Sequence, residues 1–83
     1  MFYTYVLQSE KTGKFYIGST NNLKRRFSEH NAGQSTYTKT ARPWVLIYYE
    51  AYQALLLARR REQALKKRAK AWQELLKRLE IER

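Results

Sequence analysis

The pattern around residue 26 places two groups capable of chemistry on one side of a predicted helix. Arg26 and the chain's single histidine, His30, share a helical face with Leu23 and Phe27, at offsets of three, four and seven residues. Leu23 and Phe27 are the only large apolar side chains of that helix, so this face is expected to pack inward. Burying a guanidinium without a partner is costly, so the arrangement is typical of a cleft that receives an anion.

Two tyrosines are expected beside this helix. Residues 2–9 and 14–19 are rich in aromatic and β-branched side chains, and residues 10–13 carry turn chemistry, which together predict a β-hairpin. A four-residue loop gives cross-strand partners an odd index sum, and Tyr5 and Tyr16 then lie on the same face of the hairpin.

A carboxylate is expected on the inner face of a second helix. From about residue 53 to residue 70 the chain contains no glycine or proline, and nearly every residue is a strong helix former. One stripe at steps of three and four residues is apolar except for a single acidic member: Leu55, Ala58, Glu62, Leu65, Ala69 and Trp72. The remaining surface of this helix is heavily basic.

Each of these residues also has a structural interpretation. Tyrosines on strands often serve only sheet packing. Arg26 could pair with Glu29 or Glu62, His30 could bond the helix end, and Glu62 could be an exposed member of a charged helix. A catalytic role is favoured over these structural ones because the arginine, the histidine and the glutamate all fall on apolar faces of their own helices.

The remaining pattern predicts the elements that hold these groups. The first helix is expected to begin at Asn21 or Asn22 and to end near Asn31, with Gly33 as its C-terminal cap. Pro43 precedes a third strand, and a last amphipathic helical segment begins at Trp72. The predicted order is strand, strand, helix, strand, helix, helix.

We therefore predict an α+β fold, a small three-stranded antiparallel sheet flanked by helices. A single domain is expected over residues 1–83, with residues 71–83 forming a C-terminal helical extension.

The amino-acid composition limits which ligands and binding partners are expected. The chain has 83 residues, a formal charge of +10 and no cysteine, which excludes disulfides and, with one histidine, the usual structural zinc sites. No signal peptide is recognisable and no apolar run is long enough to span a bilayer. We expect a cytoplasmic protein without a membrane partner, whose excess positive charge attracts a polyanion such as nucleic acid.

The polar, basic stretch at residues 34–42 has neither helical nor strand periodicity. It is interpreted either as a loop suited to phosphate contacts or as a solvated connection. The side chains expected to contact DNA come from the first helix, this loop and the basic helix: Arg25, Lys39, Arg42, Arg59 and Lys66.

At its suspected chemical residues the sequence resembles the GIY-YIG nuclease family, specifically its small stand-alone bacterial members. Residues 3–5 (YTY) stand where the first motif of that family lies, and residues 16–18 (YIG) match the second. Residues 25–30 match its RR-x-x-x-H helix, and residues 58–62 match the helix carrying its metal-binding glutamate. The resemblance covers about residues 3–70, in the family's order.

The first motif departs from the family pattern at two positions. Tyr3 and Thr4 replace its glycine and isoleucine, while Tyr5, the residue of that motif expected to do chemistry, is kept. The change is therefore expected to affect packing more than activity.

The resemblance implies hydrolysis of a DNA phosphodiester with one divalent metal ion, Mg²⁺ or Mn²⁺. Glu62 would ligate the metal, and Arg26 would hold a phosphate oxygen through its planar fork. Tyr5 or Tyr16 would orient or deprotonate the attacking water, and His30 would assist either tyrosine. These five residues are the expected catalytic set.

Three candidate functions are consistent with this sequence. The first is a metal-dependent DNA endonuclease of DNA repair or processing. The second is a nucleic-acid-binding module that keeps the fold without cleavage, and the third is a helical interaction protein. Family members usually carry an added DNA-binding domain, so specificity here would rest on the basic helix and residues 34–42, on a partner protein, or on a homodimer.

Overall fold

The computed structural model of the protein describes residues 1–81. Three strands and three helices lie within that range, in the predicted order, with one short 3₁₀ turn at Lys39–Ala41. The elements are β1 Phe2–Ser9, β2 Phe15–Thr20, α1 Leu23–Asn31, β3 Trp44–Tyr52, α2 Leu55–Lys66 and α3 Lys70–Arg78. None of these helices is both long enough and apolar enough to cross a bilayer.

The three strands form one antiparallel sheet with β1 in the centre and the order β2-β1-β3. Tyr5 pairs with Gly18, and Leu7 pairs with Tyr16. This register has the predicted odd index sum and puts the phenols of Tyr5 and Tyr16 on one face of the hairpin. The predicted register and the three-stranded antiparallel α+β fold are therefore confirmed.

The sheet separates two apolar clusters, as the period-2 alternation of its strands requires. One face carries the buried side chains Tyr5, Leu7 and Trp44, against which Leu23 and Phe27 of α1 pack. The opposite face packs against α2 and α3 through a second cluster: Val6, Ile17, Leu65, Trp72, Leu75 and Leu76. The helices thus lie in layers on both sides of the sheet.

The ends of α1 follow their sequence signals. The Asn22 side chain accepts a hydrogen bond from the backbone N–H of Arg25 and caps the N-terminus. At the other end Gly33 has φ +81, and the next amide, Gln34, donates to the carbonyl of Glu29. This is the Schellman arrangement, in which a glycine takes the left-handed conformation. Both predicted caps, Asn22 and Gly33, are confirmed.

The prediction of one unbroken basic helix to residue 70 is wrong. α2 ends at Lys66, Arg68 has φ +55, and α3 begins at Lys70. Ala69, which the stripe placed inward, is exposed. The reversal brings Trp72 of α3 back onto the core beneath α2, with the Arg68 guanidinium 4.6 Å from its ring centroid.

The C-terminal helical extension predicted for residues 71–83 overlaps α3, which packs into the second cluster. Its last two positions, 82 and 83, lie outside the residues that the structure describes.

A polar network joins β3 to α2. The Glu50 carboxylate accepts hydrogen bonds from the hydroxyls of Tyr48 (2.5 Å) and Tyr52, and from Nε of Arg61 at 3.0 Å. Burial alone would raise the pKa of Glu50, but these three donors outweigh burial and hold the pKa below its usual value. Burial and the bond to Glu50 raise the pKa of Tyr52 to about 12.

We expect Glu50→Gln to lower the free energy of unfolding by about 1–3 kcal/mol at pH 7, because an amide cannot accept from three donors as a carboxylate does. A carboxyl with a depressed pKa contributes stability above its unfolded pKa and loses that contribution as pH falls through its folded pKa. The difference between wild type and variant should therefore be full at pH 7 and should shrink as the pH falls below the usual range of a glutamate. Urea denaturation over a series of decreasing pH values measures it.

The control for this prediction is Glu10→Gln, because Glu10 is exposed on the hairpin turn. Its effect is expected to stay within about 0.5 kcal/mol. A loss in the Glu50 variant that stays constant over the whole acid titration would show that the network's contribution does not depend on the carboxylate charge.

Candidate active site

A buried hydrogen-bond chain runs through His30 near the end of α1. The imidazole is fully buried, with Nε2 2.8 Å from the Tyr5 hydroxyl and Nδ1 2.8 Å from the Thr38 hydroxyl. Burial, reinforced by the positive charge of Arg26, lowers the pKa of His30 to about 4. The histidine is therefore neutral at pH 7, with both ring nitrogens hydrogen-bonded.

Tyr5 lies at the floor of this arrangement, 1% exposed, on the central strand β1. Its ring centroid is 6.2 Å from that of Tyr16, whose ring in turn lies 4.8 Å from His30. The phenol passes directly over Gly18, where a Cβ would stand 2.6 Å from the hydroxyl oxygen. Only glycine fits beneath Tyr5 at this position.

Burial and the neighbouring Tyr16 raise the pKa of Tyr5 above its ordinary value, although the positive charge of Arg26 acts in the opposite direction. A neutral imidazole donates through one ring nitrogen and accepts at the other. One of the two hydroxyls, Tyr5 or Thr38, therefore accepts from His30 and the other donates to it.

Arg26 faces the same cluster and is also tied to its own helix. Its Nη1 lies 2.9 Å from Oε1 of Glu29, and its side chain is 32% exposed. That hydrogen bond raises the pKa of Arg26 despite partial burial, and the neighbouring Tyr5 and Tyr16 act in the same direction. Of the two ion pairs considered for Arg26, the structure shows the one with Glu29. We call Tyr5, Tyr16, Arg26 and His30 the α1-side cluster.

Glu62 reaches the edge of the sheet from the opposite layer. Its Oε1 accepts from the Ser19 hydroxyl at 2.6 Å, and its Oε2 lies 2.5 Å from Nζ of Lys66. Ser19 follows Gly18 on the edge strand β2, so the carboxylate lies beside the position over which Tyr5 passes. After burial and Tyr16, the negative charge of Glu62 also raises the pKa of Tyr5.

The structure therefore brings three of the five expected catalytic residues, Tyr5, Tyr16 and His30, into contact. Arg26 lies near enough for its charge to act on Tyr5, and Glu62 lies at the neighbouring sheet edge. Comparison with known proteins identifies the domain: the profile of the GIY-YIG catalytic domain matches residues 1–75. The chain belongs to the GIY-YIG family.

Small bacterial and archaeal GIY-YIG proteins are among its similar sequences. The UPF0213 protein SH2523 of Staphylococcus haemolyticus is 42% identical over 65 residues, covering 77% of this chain and 78% of that protein. A UPF0213 protein of Syntrophus aciditrophicus is 39% identical over 72 residues, covering 83% and 80%. The solution NMR structure of the UPF0213 protein BH0048 from Bacillus halodurans is 30% identical with a TM-score of 0.57, covering 95% of this chain and 85% of that one.

The first GIY-YIG motif departs from its pattern in a way that the fold explains. Thr4 faces the α2 layer, is buried, and donates to the backbone carbonyl of Ala58 at 2.6 Å. Tyr3 lies on the other face, with its ring 6.1 Å from that of Tyr49. Thr4 therefore joins β1 to α2, and Tyr3 extends the aromatic surface beside α1.

The acidic side chains near the cluster decide how a divalent ion would be held by this GIY-YIG chain. Among residues 1–81 no three His, Cys, Asp or Glu side chains gather as a metal site, and both nitrogens of His30 are occupied by hydrogen bonds. Two carboxylates lie beside the cluster: Glu29, which pairs with Arg26, and Glu62 at the sheet edge. A single carboxylate such as that of Glu62 suits Mg²⁺ or Mn²⁺, which keep several waters and take further oxygens from substrate phosphate.

The side chains expected to contact DNA lie on the surface. Arg25, Lys39, Arg42 and Arg59 are exposed. Arg42 donates through Nε to the carbonyl of Lys39 at 2.7 Å, and Lys66 is held by Glu62. The expected DNA contacts themselves stay predictions.

The segment at residues 34–42 is more ordered than its composition indicated. It contains the 3₁₀ turn, and Ser35 and Thr38 within it are buried. The Ser9 hydroxyl donates to the carbonyl of Ala41 at 2.6 Å and fixes the segment to β1. The interpretation as a merely solvated connection is therefore wrong for Ser35 and Thr38, which are buried, and Thr38 holds His30 by a hydrogen bond.

Two site residues were missed by sequence reasoning, Ser19 and Thr38. Ser19 could have been found by strand alternation, because it shares with Ile17 the face of β2 that meets α2. Thr38 carried no signal, since it lies in a polar stretch without periodicity.

Proposed function

We propose that this protein is a divalent-metal-dependent endonuclease that hydrolyses DNA phosphodiester bonds. The observation that carries the proposal is the buried Tyr5–His30 hydrogen bond with Arg26 beside it and Glu62 across Gly18. A cation and a carboxylate from helices on opposite faces thus flank one pair of phenols.

Arg26 is assigned the role of binding the phosphate. Its guanidinium binds the non-bridging oxygens and offsets the charge that grows on them in the transition state. Glu62 is assigned the role of metal ligand, and the metal when bound would polarise a phosphate oxygen and stabilise the leaving alkoxide. Because Arg26 is held by Glu29 before substrate arrives, little reorganisation is needed to present the guanidinium.

The two tyrosines take different roles because their burial differs. Tyr5 is buried and its pKa is raised, so at neutral pH it stays a phenol that positions His30. Tyr16 is half-buried, and its hydroxyl accepts a hydrogen bond from the attacking water. The water oxygen forms the new bond to phosphorus and the ester bond breaks. The proton released from the water passes to solvent, and the departing alkoxide takes a proton from solvent to become a hydroxyl.

DNA is favoured as the polyanion by family and charge. The chain carries +10, and exposed arginines and lysines supply phosphate contacts without sequence preference. We place the protein in DNA repair or processing in the cytoplasm, acting as one domain over residues 1–83.

A non-cleaving DNA-binding module is the second candidate, favoured by one observation. Both groups assigned to the reaction are neutralised by partners of their own helices, Arg26 by Glu29 and Glu62 by Lys66. A protein that keeps these pairs when DNA binds would hold the phosphate backbone without hydrolysing it.

Cleavage of end-labelled branched, single-stranded and duplex DNA distinguishes the two. We expect cleavage of at least one substrate with Mg²⁺ or Mn²⁺ and none with EDTA. Binding of all three substrates without cleavage in either metal would favour the module.

A further inference from the structure

The carboxylate of Glu62 is occupied on both oxygens. The Ser19 hydroxyl lies 2.6 Å from Oε1, and the Lys66 ammonium lies 2.5 Å from Oε2. The Glu62 side chain is 14% exposed, whereas that of Lys66 is 43% exposed. The pair is therefore shielded on the glutamate side and open on the lysine side, unlike an ion pair between two fully solvated chains.

Of the two partners of the Glu62 carboxylate, Lys66 is the one that a metal ion can displace. A hydroxyl can stay on a carboxylate that binds a metal, because it is neutral and uses a separate oxygen. An ammonium at Oε2 would face a divalent cation across a distance of a few ångströms, and the two positive charges repel. Since Lys66 is more exposed and ends in a flexible four-carbon stem, its rotation outward costs less than moving Glu62.

We propose that Lys66 occupies Glu62 in the metal-free protein, is displaced when a divalent cation binds, and then pairs with a DNA phosphate. The inference rests on the proposed function, since it takes Glu62 as the metal ligand. It assigns Lys66 a positioning role: it keeps the carboxylate neutralised and oriented until the metal arrives. After displacement the tethered ammonium stays within one side-chain length of the metal, where substrate phosphate collects.

Competition of this kind has a signature that a purely structural lysine would not give. Removing the lysine should strengthen metal binding, because the metal no longer displaces a cation. We expect Lys66→Gln to raise the affinity for Mn²⁺ about three- to tenfold, measured without DNA by electron paramagnetic resonance of free Mn²⁺. Lys66→Arg keeps the competing charge and should bind Mn²⁺ within about twofold of wild type.

Lys67→Gln is the matched control. Lys67 is the next residue, is also exposed, and carries the same charge, so its loss changes net charge equally without uncovering Glu62. Its Mn²⁺ affinity should rise less than about twofold. Circular dichroism of each variant checks that α2 is retained.

The outcomes separate this inference from the proposed function. Tighter Mn²⁺ binding in Lys66→Gln, absent in Lys67→Gln and lost in Glu62→Ala, supports it. Unchanged binding in Lys66→Gln with loss in Glu62→Ala overturns the role of Lys66 and leaves the metal site standing. Unchanged Mn²⁺ binding in Glu62→Ala overturns both.

Discussion

Replacing Arg26 with alanine is expected to lower DNA cleavage about 10²- to 10³-fold while changing DNA affinity only a few-fold. The guanidinium is aimed at charge that develops during phosphoryl transfer, and loss of one such donor typically costs that much in turnover. Affinity depends instead on many phosphate contacts spread over a chain of charge +10. Single-turnover cleavage and filter binding, run on the same variant, measure the two effects separately.

Two further variants make the Arg26 result specific. Arg26→Lys should not restore cleavage, because an ammonium lacks the planar fork that grips two phosphate oxygens. Arg25→Ala is the control, since Arg25 is exposed and also approaches Glu29, at 3.7 Å, and its cleavage should fall less than about threefold. Near-normal turnover in Arg26→Ala would remove the arginine from the reaction.

The second large effect is expected at Gly18. A Cβ added there would stand 2.6 Å from the Tyr5 hydroxyl oxygen and 2.7 Å from Cζ of its ring. Tyr5 is rigid, buried and hydrogen-bonded to His30, so it cannot yield without leaving its place. Gly18→Ala should lower the free energy of unfolding by about 1–3 kcal/mol and reduce cleavage severely, as measured by urea denaturation and the cleavage assay.

A double-mutant cycle tests whether the collision with Tyr5 is the cause. In a Tyr5→Leu background the side chain ends before the contact, so Gly18→Ala should cost much less than in the wild type. An equal cost in both backgrounds would attribute the loss to the backbone of β2 instead. Wild-type stability in the single variant would mean that the phenol does not depend on the glycine beneath it.

Much of the fold and part of the candidate site could be predicted from the local periodicity of apolar residues in the sequence. The register of Tyr5 and Tyr16 followed from loop length and strand alternation, and the inward face of α1 followed from Leu23 and Phe27. These patterns are legible because each element must present one face to a core. The contact of His30 with Tyr5 then follows once both faces are known.

The rest depends on partners distant in sequence. Thr38 reaches His30 because the 34–42 segment folds back on β1, and Ser19 meets Glu62 across 43 positions. The end of α2 near Lys66 was missed for a related reason: strong helix formers favour continuation, and tertiary burial of Trp72 overrides them.

The central claim is that Glu62 serves the reaction and not the attraction of DNA, and Glu62→Gln tests it most directly. The amide keeps the size of the side chain and a hydrogen bond to Ser19 but loses the charge that holds a divalent ion. Turnover and DNA affinity of this variant are measured together in Mg²⁺. Turnover should fall about 10²-fold or more, while DNA affinity should stay equal or rise. Cleavage at the wild-type rate, or a loss of affinity as large as the loss of turnover, would contradict the account.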